Sequence, residues 1–243
     1  MSETRPQARY VLNDIEGTTS DIAFVKDILF PYAAEHLPRF IRAQADRIDV
    51  REQLDAVAQE SGRALDDLEG LIEALLGWIK ADQKITALKT LQGQVWRHGY
   101  QEGHFTGHLY ADAHRVLTDW FGAGVGLGVY SSGSVEAQKL LFGYSDYGDL
   151  TPLFTDHFDT RVGHKREHSS YAAISQILIE RRRVSDVTEI LFLSDVVAEL
   201  DAAKASGMLT CELRRDQAPA STKHPSVSSF AELETHFRVN VHA

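Results

Sequence analysis

The chain has 243 residues, 43% apolar and 25% charged, which fits one large domain, or a domain with a sizeable insert, and excludes a disordered chain. Acids outnumber bases 35 to 25, a formal charge of -10, so the surface repels phosphate backbones and anionic lipid, and neither nucleic acid nor a membrane is an expected partner. One cysteine, Cys211, rules out an intramolecular disulfide and suits a reducing compartment; no segment reads as a signal peptide or membrane span, so a cytoplasmic location is expected.

In chain order, residues 9 to 14 predict a first strand that runs into Asp14 and Glu16. Residues 21 to 47 then carry Ile22, Val25, Ile28 and Leu29 at helical spacing, with Pro31 and Pro38 expected to break or restart the helices. Residues 51 to 61 and 64 to 81 predict two amphipathic helices, the second with Leu68, Leu71, Ile72, Leu75, Leu76 and Ile79 on one face. A polar and aromatic stretch follows from Asp82 to Tyr110, and no further strand is expected before about residue 124, so this middle third is expected to be mostly helical.

The second half alternates. An apolar run from Gly124 to Tyr130 ends in Ser131-Ser132-Gly133-Ser134, with a helix expected from Val135. A short strand over 154–158, a helix over 168–182, a strand over 189–193 ending in Ser194-Asp195, a helix over 199–206 and a strand over 209–213 complete the pattern. Such alternation predicts an α/β fold, a Rossmann-like parallel sheet core with a mostly helical cap inserted after the first strand. The expected division is a catalytic core of residues 1–20 and 111–243 around a cap of 21–110.

Ligands in open parallel sheets bind outside the carboxyl ends of the strands. Four polar clusters fall at those ends or in the loops between elements: Asp14 with Glu16, Ser131 with Ser132, Lys165, and Asp195. Asp14 and Asp195 are hard oxygen donors of the kind Mg²⁺ takes. Lys165 supplies a positive charge for a phosphate and for the first carboxylate. Ser131 and Ser132, before a helix start, offer hydroxyls and backbone N–H groups to phosphoryl oxygens. Asp14 is then placed to attack phosphorus, and Glu16 to protonate the leaving oxygen and activate water. Singly, each has a plainer reading: a turn for Asp14 to Gly17, a helix cap for the serines, a solvated loop for His164 to Glu167. Together they are hard to explain without phosphoryl transfer.

Two further patterns are set aside. His104 and His108 have the spacing of a helical metal pair, but Gly103 and Gly107 argue against a helix there. The glycines at 122, 124, 126 and 128 precede a strand and miss the dinucleotide spacing. Cys211 and the three tryptophans read as packing residues.

The segments VLNDIEGTT, YSSGS, GHKRE and LFLSDVVAELDAA resemble the four motifs of the haloacid dehalogenase superfamily. DIEGTTSDIAFVKDILFPYA, DQKITALKTLQGQVWRHGYQEG and YSSGSVEAQKLLFGYS resemble more closely the enolase-phosphatase family of methionine salvage, over about residues 10 to 215. That resemblance implies enolisation of 2,3-diketo-5-methylthiopentyl-1-phosphate, then loss of its phosphate through an aspartyl-phosphate to give the acireductone. It implies one Mg²⁺ per chain, held by Asp14, Glu16 (through its backbone carbonyl) and Asp195. Ser131, Ser132 and Lys165 would bind substrate and phosphate, and Glu199 would orient metal-bound water from behind Asp195. The alternative within the superfamily is a Mg²⁺-dependent phosphatase for another small phosphate ester, which only the stretch 82–103 disfavours. A dehalogenase would give Asp195 and Glu199 no metal to serve, and a phospho-accepting receiver module would be about half this length. The helical insert fits a lid that excludes water. No apolar stripe calls for a second chain, so a monomer is expected.

Overall fold

The computed structural model describes residues 5–215 and 223–239. Two compact units divide the chain, one of Met1–Ile22 with Gly107–Ala243 and the other Ala23–Thr106.

The first unit holds β1 (Gln7–Ala8), β2 (Tyr10–Asn13), α5 (Ala111–Gly122), β3 (Gly126–Tyr130), α6 (Val135–Gly143), β4 (Asp156–Phe158), α7 (His168–Glu180), β5 (Ile190–Ser194), α8 (Val197–Ala205), β6 (Leu209–Leu213), β7 (Ser226–Val227) and β8 (Arg238–Val239). Six strands form a parallel sheet in the order β4-β3-β2-β5-β6-β7. A parallel pair of β1 with β8 stands apart from it. This is the Rossmann-like core the alternation predicts. β2 is buried at every position because helices cover both faces of a parallel sheet, which is why its sequence shows a continuous apolar run rather than alternation. Tyr10, Leu12, Tyr130, Tyr171, Ile174, Leu178 and Phe192 pack as one cluster between sheet and helices. Tyr130, Tyr171 and Phe192 meet edge to face, at 5.4 and 5.0 Å between centroids.

Register decides what the strand ends bring together. Asn13 pairs with Val129 of β3 and with Leu193 of β5. The residues that follow, Asp14, Tyr130-Ser131 and Ser194-Asp195, therefore emerge side by side from three adjacent strands.

The second unit is a four-helix arrangement of α1 (Phe30–Gln44), α2 (Ile48–Ser61), α3 (Leu68–Lys80) and α4 (Thr86–Gln101), entered through a π-helical turn, Phe24–Leu29. Each of α1 and α2 packs on both α3 and α4. Leu37, Ile41, Val50, Leu54, Leu71, Ile72, Leu75, Leu88 and Leu91 are buried in it. Asp67 caps α3, accepting the Gly70 N–H at 3.0 Å. Trp96 is a packing residue: it stacks on Phe30 and donates its indole N–H to Leu29 O at 2.7 Å.

Two local expectations need correcting. Pro31 does start a helix, where its missing N–H costs nothing, but α1 runs on through Pro38. Buried Leu37 and Ile41 on either side hold that helix by packing despite the lost bond. The segment 111–122, in the part expected to be mostly helical but with no helix of its own delimited, is α5, with Ala113, Val116, Leu117 and Trp120 buried. Among the described residues no helix is long and apolar enough to cross a membrane.

Candidate active site

β2 delivers Asp14 into an almost closed setting, 4% exposed. Its Oδ1 accepts from Lys165 Nζ at 2.6 Å and from the Ile15 N–H at 2.8 Å, and its Oδ2 from the Ser194 hydroxyl at 3.2 Å. The backbone is held from both sides, with Asp14 N–H donating to Leu193 O at 2.9 Å and Thr19 Oγ1 to Asp14 O at 3.1 Å. An ionised carboxylate at the end of a buried strand is costly unless compensated. Lys165 and these donors supply the compensation.

Lys165 arrives on the loop between β4 and α7, which is pinned at four points. Tyr130 Oη donates to Gly163 O at 2.9 Å, Ser170 Oγ to His164 O at 2.8 Å, Tyr171 Oη to Lys165 O at 2.7 Å and Glu167 N–H to His164 O at 3.0 Å. Gly163 at φ +138 permits the turn, since a Cβ there would lie 2.2 Å from Ser170 Oγ. Lys165 Nζ also meets Glu199 Oε2 at 2.7 Å. Burial alone would lower the lysine, but Asp14 and Glu199 outweigh it and hold it up at about 12. Glu199 is pushed up to about 7 by its own burial and then by the charge of Asp14, with Lys165 opposing.

Asp195 follows β5. It is exposed on one side, yet its carboxyl is pushed up to about 6, first by the protein around it and then by Asp14, with a smaller push from Glu16. The loop Glu16 to Ser20 makes room for it: Gly17 takes φ +76, and a Cβ there would stand 2.3 Å from Asp195 Oδ2. Thr18 Oγ1 accepts the Asp195 N–H at 3.1 Å, and Gly17 N–H donates to Ser20 O at 2.8 Å.

The serines lie between β3 and α6. Ser131 is buried and its Oγ accepts the Gly133 N–H at 3.1 Å, Ser132 is half-buried, and Ser134 caps α6 through the Ala137 N–H at 3.2 Å. Geometry thus ties Asp14, Lys165 and Glu199 by direct contacts and sets the Asp195 carboxylate against the Gly17 backbone. Glu199 faces Lys165 and Ser194 rather than standing only behind Asp195. His104 and His108 share no helix; His104 Nδ1 pairs with Tyr32 Oη at 2.9 Å and His108 Nδ1 accepts the Asp21 N–H at 3.0 Å.

Four contributors carry little signal in the sequence. Ser194 bonds both Asp14 and, at 3.0 Å, Glu199; only its place before Asp195 hints at it. Thr18 and Thr19 brace the loop through their hydroxyls, a use a double threonine after glycine can suggest. Asn13, buried directly before Asp14, donates to Gly128 O at 3.1 Å while its Oδ1 has no partner.

This edge has a clear charge excess. Asp14 and Glu199 share the Lys165 ammonium, while Asp195 is pushed up by burial first and then by Asp14, with a smaller push from Glu16. Among the described residues no three His, Cys, Asp or Glu side chains form a ready metal cage. Two carboxylates and loop carbonyls, all hard oxygen, are instead the donor set suited to a small divalent cation that keeps several waters.

No family model matches the chain. The enolase-phosphatase E1 of Pseudomonas fluorescens is 52% identical over 227 residues, 93% of this chain and 97% of that protein. The enolase-phosphatase E1 of Serratia proteamaculans is also 52% identical over 227 residues, covering 93% and 96%. Among solved structures, the UTR4 protein of Saccharomyces cerevisiae superposes with a TM-score of 0.74 at 34% identity, over 92% of this chain and 99% of that one. CbbY of Rhodobacter sphaeroides, solved with phosphate, shares the fold with a TM-score of 0.56 at 16% identity, over 93% and 96%. With a relative this similar along nearly its whole length, the chain belongs to the enolase-phosphatase E1 family.

Proposed function

We propose that the protein enolises 2,3-diketo-5-methylthiopentyl-1-phosphate and then hydrolyses its phosphate to the acireductone, acting in methionine salvage as a cytoplasmic monomer. The observation that carries the phosphatase half is the Asp14–Lys165 contact of 2.6 Å, buried at the carboxyl edge of the sheet in a chain of this family.

Asp14 attacks phosphorus, forming an Oδ–P bond as the P–O ester bond breaks. Glu16 gives its proton to the leaving oxygen and then takes one from water. That water attacks phosphorus, the Asp14 Oδ–P bond breaks, and inorganic phosphate leaves with the carboxylate restored. Lys165 orients Asp14 through Oδ1 and attracts phosphoryl oxygens. Ser131 and Ser132 hold the transferring group through hydroxyls and backbone N–H groups. Ser194 and Glu199 fix the lysine and the nucleophile against each other.

We assign one Mg²⁺ per chain to Asp14, the Glu16 carbonyl and Asp195. When bound it neutralises phosphoryl oxygens and the developing enolate. For enolisation there are two candidate bases, Glu16 and a residue of the helical cap domain 21–110.

The test is inorganic phosphate released from the diketo ester, with Mg²⁺ and after chelation. Release that disappears on chelation supports this reading. Release from simple phosphate esters alone would move the protein to the alternative, a Mg²⁺-dependent phosphatase for another small ester.

A further inference from the structure

Arg215 lies just past the carboxyl end of β6, its side chain 12% exposed. All three guanidinium nitrogens are used. Nε and Nη2 donate to one acceptor, Thr18 O, at 3.0 and 2.9 Å. Nη1 donates to both Asp112 oxygens, at 2.9 and 2.8 Å. Its Cζ sits 4.1 Å from the Tyr110 ring centroid and 5.4 Å from that of Phe230, and Asp112 Oδ2 also accepts the Phe230 N–H at 2.8 Å. A rigid planar fork, stacked on an aromatic ring and clamped by a carboxylate, has little freedom left.

The clamp is aimed at the residue that connects the two acid-bearing loops. Thr18 is fully buried, and its hydroxyl accepts the Asp195 N–H at 3.1 Å while its carbonyl takes both arginine bonds. The preceding Gly17 backbone touches the Asp195 carboxylate, so a shift of Thr18 moves Glu16 and Gly17 against Asp195.

We propose that Arg215 is a positioning residue for the reaction: through Thr18 it sets the loop of Asp14 and Glu16 at a fixed separation from Asp195, preforming the cation-binding edge. This rests on the functional reading above. It also explains why a charged residue stands beside an aromatic pair at the end of an edge-proximal strand, far in sequence from the motifs.

The test is Mg²⁺ binding by calorimetry without substrate, on wild type, Arg215→Lys, Thr18→Val and the double variant, with steady-state phosphate release alongside. Arg215→Lys keeps the charge and Thr18→Val the volume, so both fold, which circular dichroism checks. Each single variant is expected to weaken Mg²⁺ binding by about 10–100-fold. KM for the ester should change little, and the double variant should lose little more than either alone, because the two act in one chain of contacts. Wild-type Mg²⁺ affinity in Arg215→Lys, or fully additive losses in the double variant, would overturn the inference while leaving the enzyme assignment standing. A wild-type chain that neither bound Mg²⁺ nor released phosphate would instead remove the functional reading, and this one with it.

Discussion

Lys165 Nζ bridges Asp14 Oδ1 at 2.6 Å and Glu199 Oε2 at 2.7 Å, with all three residues buried. The lysine is at once the counterion that allows Asp14 to sit at the end of a buried strand and the group best placed to meet a phosphate. Lys165→Met therefore removes two functions together. Leaving two buried carboxylates without their cation should cost about 3–5 kcal/mol of stability. Phosphate release should fall by at least about 10²-fold. Urea unfolding and steady-state kinetics on the same sample check both. Normal kinetics in a destabilised variant would make the lysine purely structural.

Glu199 gives the protein a pH-dependent stability of defined sign. Its folded-state carboxyl is raised to about 7 from an ordinary 4.5, by burial first and then Asp14. The folded state thus holds a proton the unfolded state has lost. The contribution is fully present below about 4.5 and disappears as pH rises through about 7. Without added metal, the melting temperature should fall across this window more steeply in wild type than in Glu199→Gln. Parallel profiles would refute the assignment.

How much of this site could be read in the chain follows from where each residue lies. Asp14, Ser131 and Asp195 are visible because apolar runs stop at them, and a parallel sheet brings such endings to one edge. Lys165 is visible only through its company, since a short charged loop is ordinarily solvated. Glu199 can be placed by spacing, but its bond to Lys165 depends on how the β4–α7 loop folds back, which only tertiary contacts decide. Arg215 and Asp112 give no local signal, because their meaning lies in a contact between segments distant in sequence. Likewise α5 hides among histidine, arginine and aspartate residues, and Pro38 misleads because packing overrides propensity.

Gly17 has two constraints, φ +76 and an Asp195 oxygen 2.3 Å from where a Cβ would be. Gly17→Ala should displace Asp195, raising the Mg²⁺ concentration needed for half-maximal activity and lowering the maximal rate. Stability should drop by more than about 1 kcal/mol, as for alanine at positive φ. An unchanged Mg²⁺ requirement would contradict the close approach.

At the opposite, amino-terminal edge of the sheet, Asp156 is buried among Tyr10 Oη at 3.1 Å, Thr155 Oγ1 at 2.8 Å, Arg181 and Arg183. Its arginine partners are half open to water, and the cluster holds strand β4 to β2 and α7. Asp156→Ala should lower stability by about 3 kcal/mol, since it strands the buried Tyr10 hydroxyl and uncouples the arginines. kcat and KM at 25 °C should stay within about twofold, because changes this far from the chemistry act independently of it. A large loss of kcat would mean the two edges are coupled.

The most direct test of the account is the turnover of Asp14→Asn, measured as inorganic phosphate released from the diketo phosphate ester at saturating Mg²⁺, with the fold checked by circular dichroism. The substitution keeps the shape and removes the proposed nucleophile. The account predicts a folded protein whose release is lost by at least about 10⁴-fold. A folded Asp14→Asn protein that released phosphate at an appreciable fraction of the wild-type rate would show that Asp14 is not the attacking group.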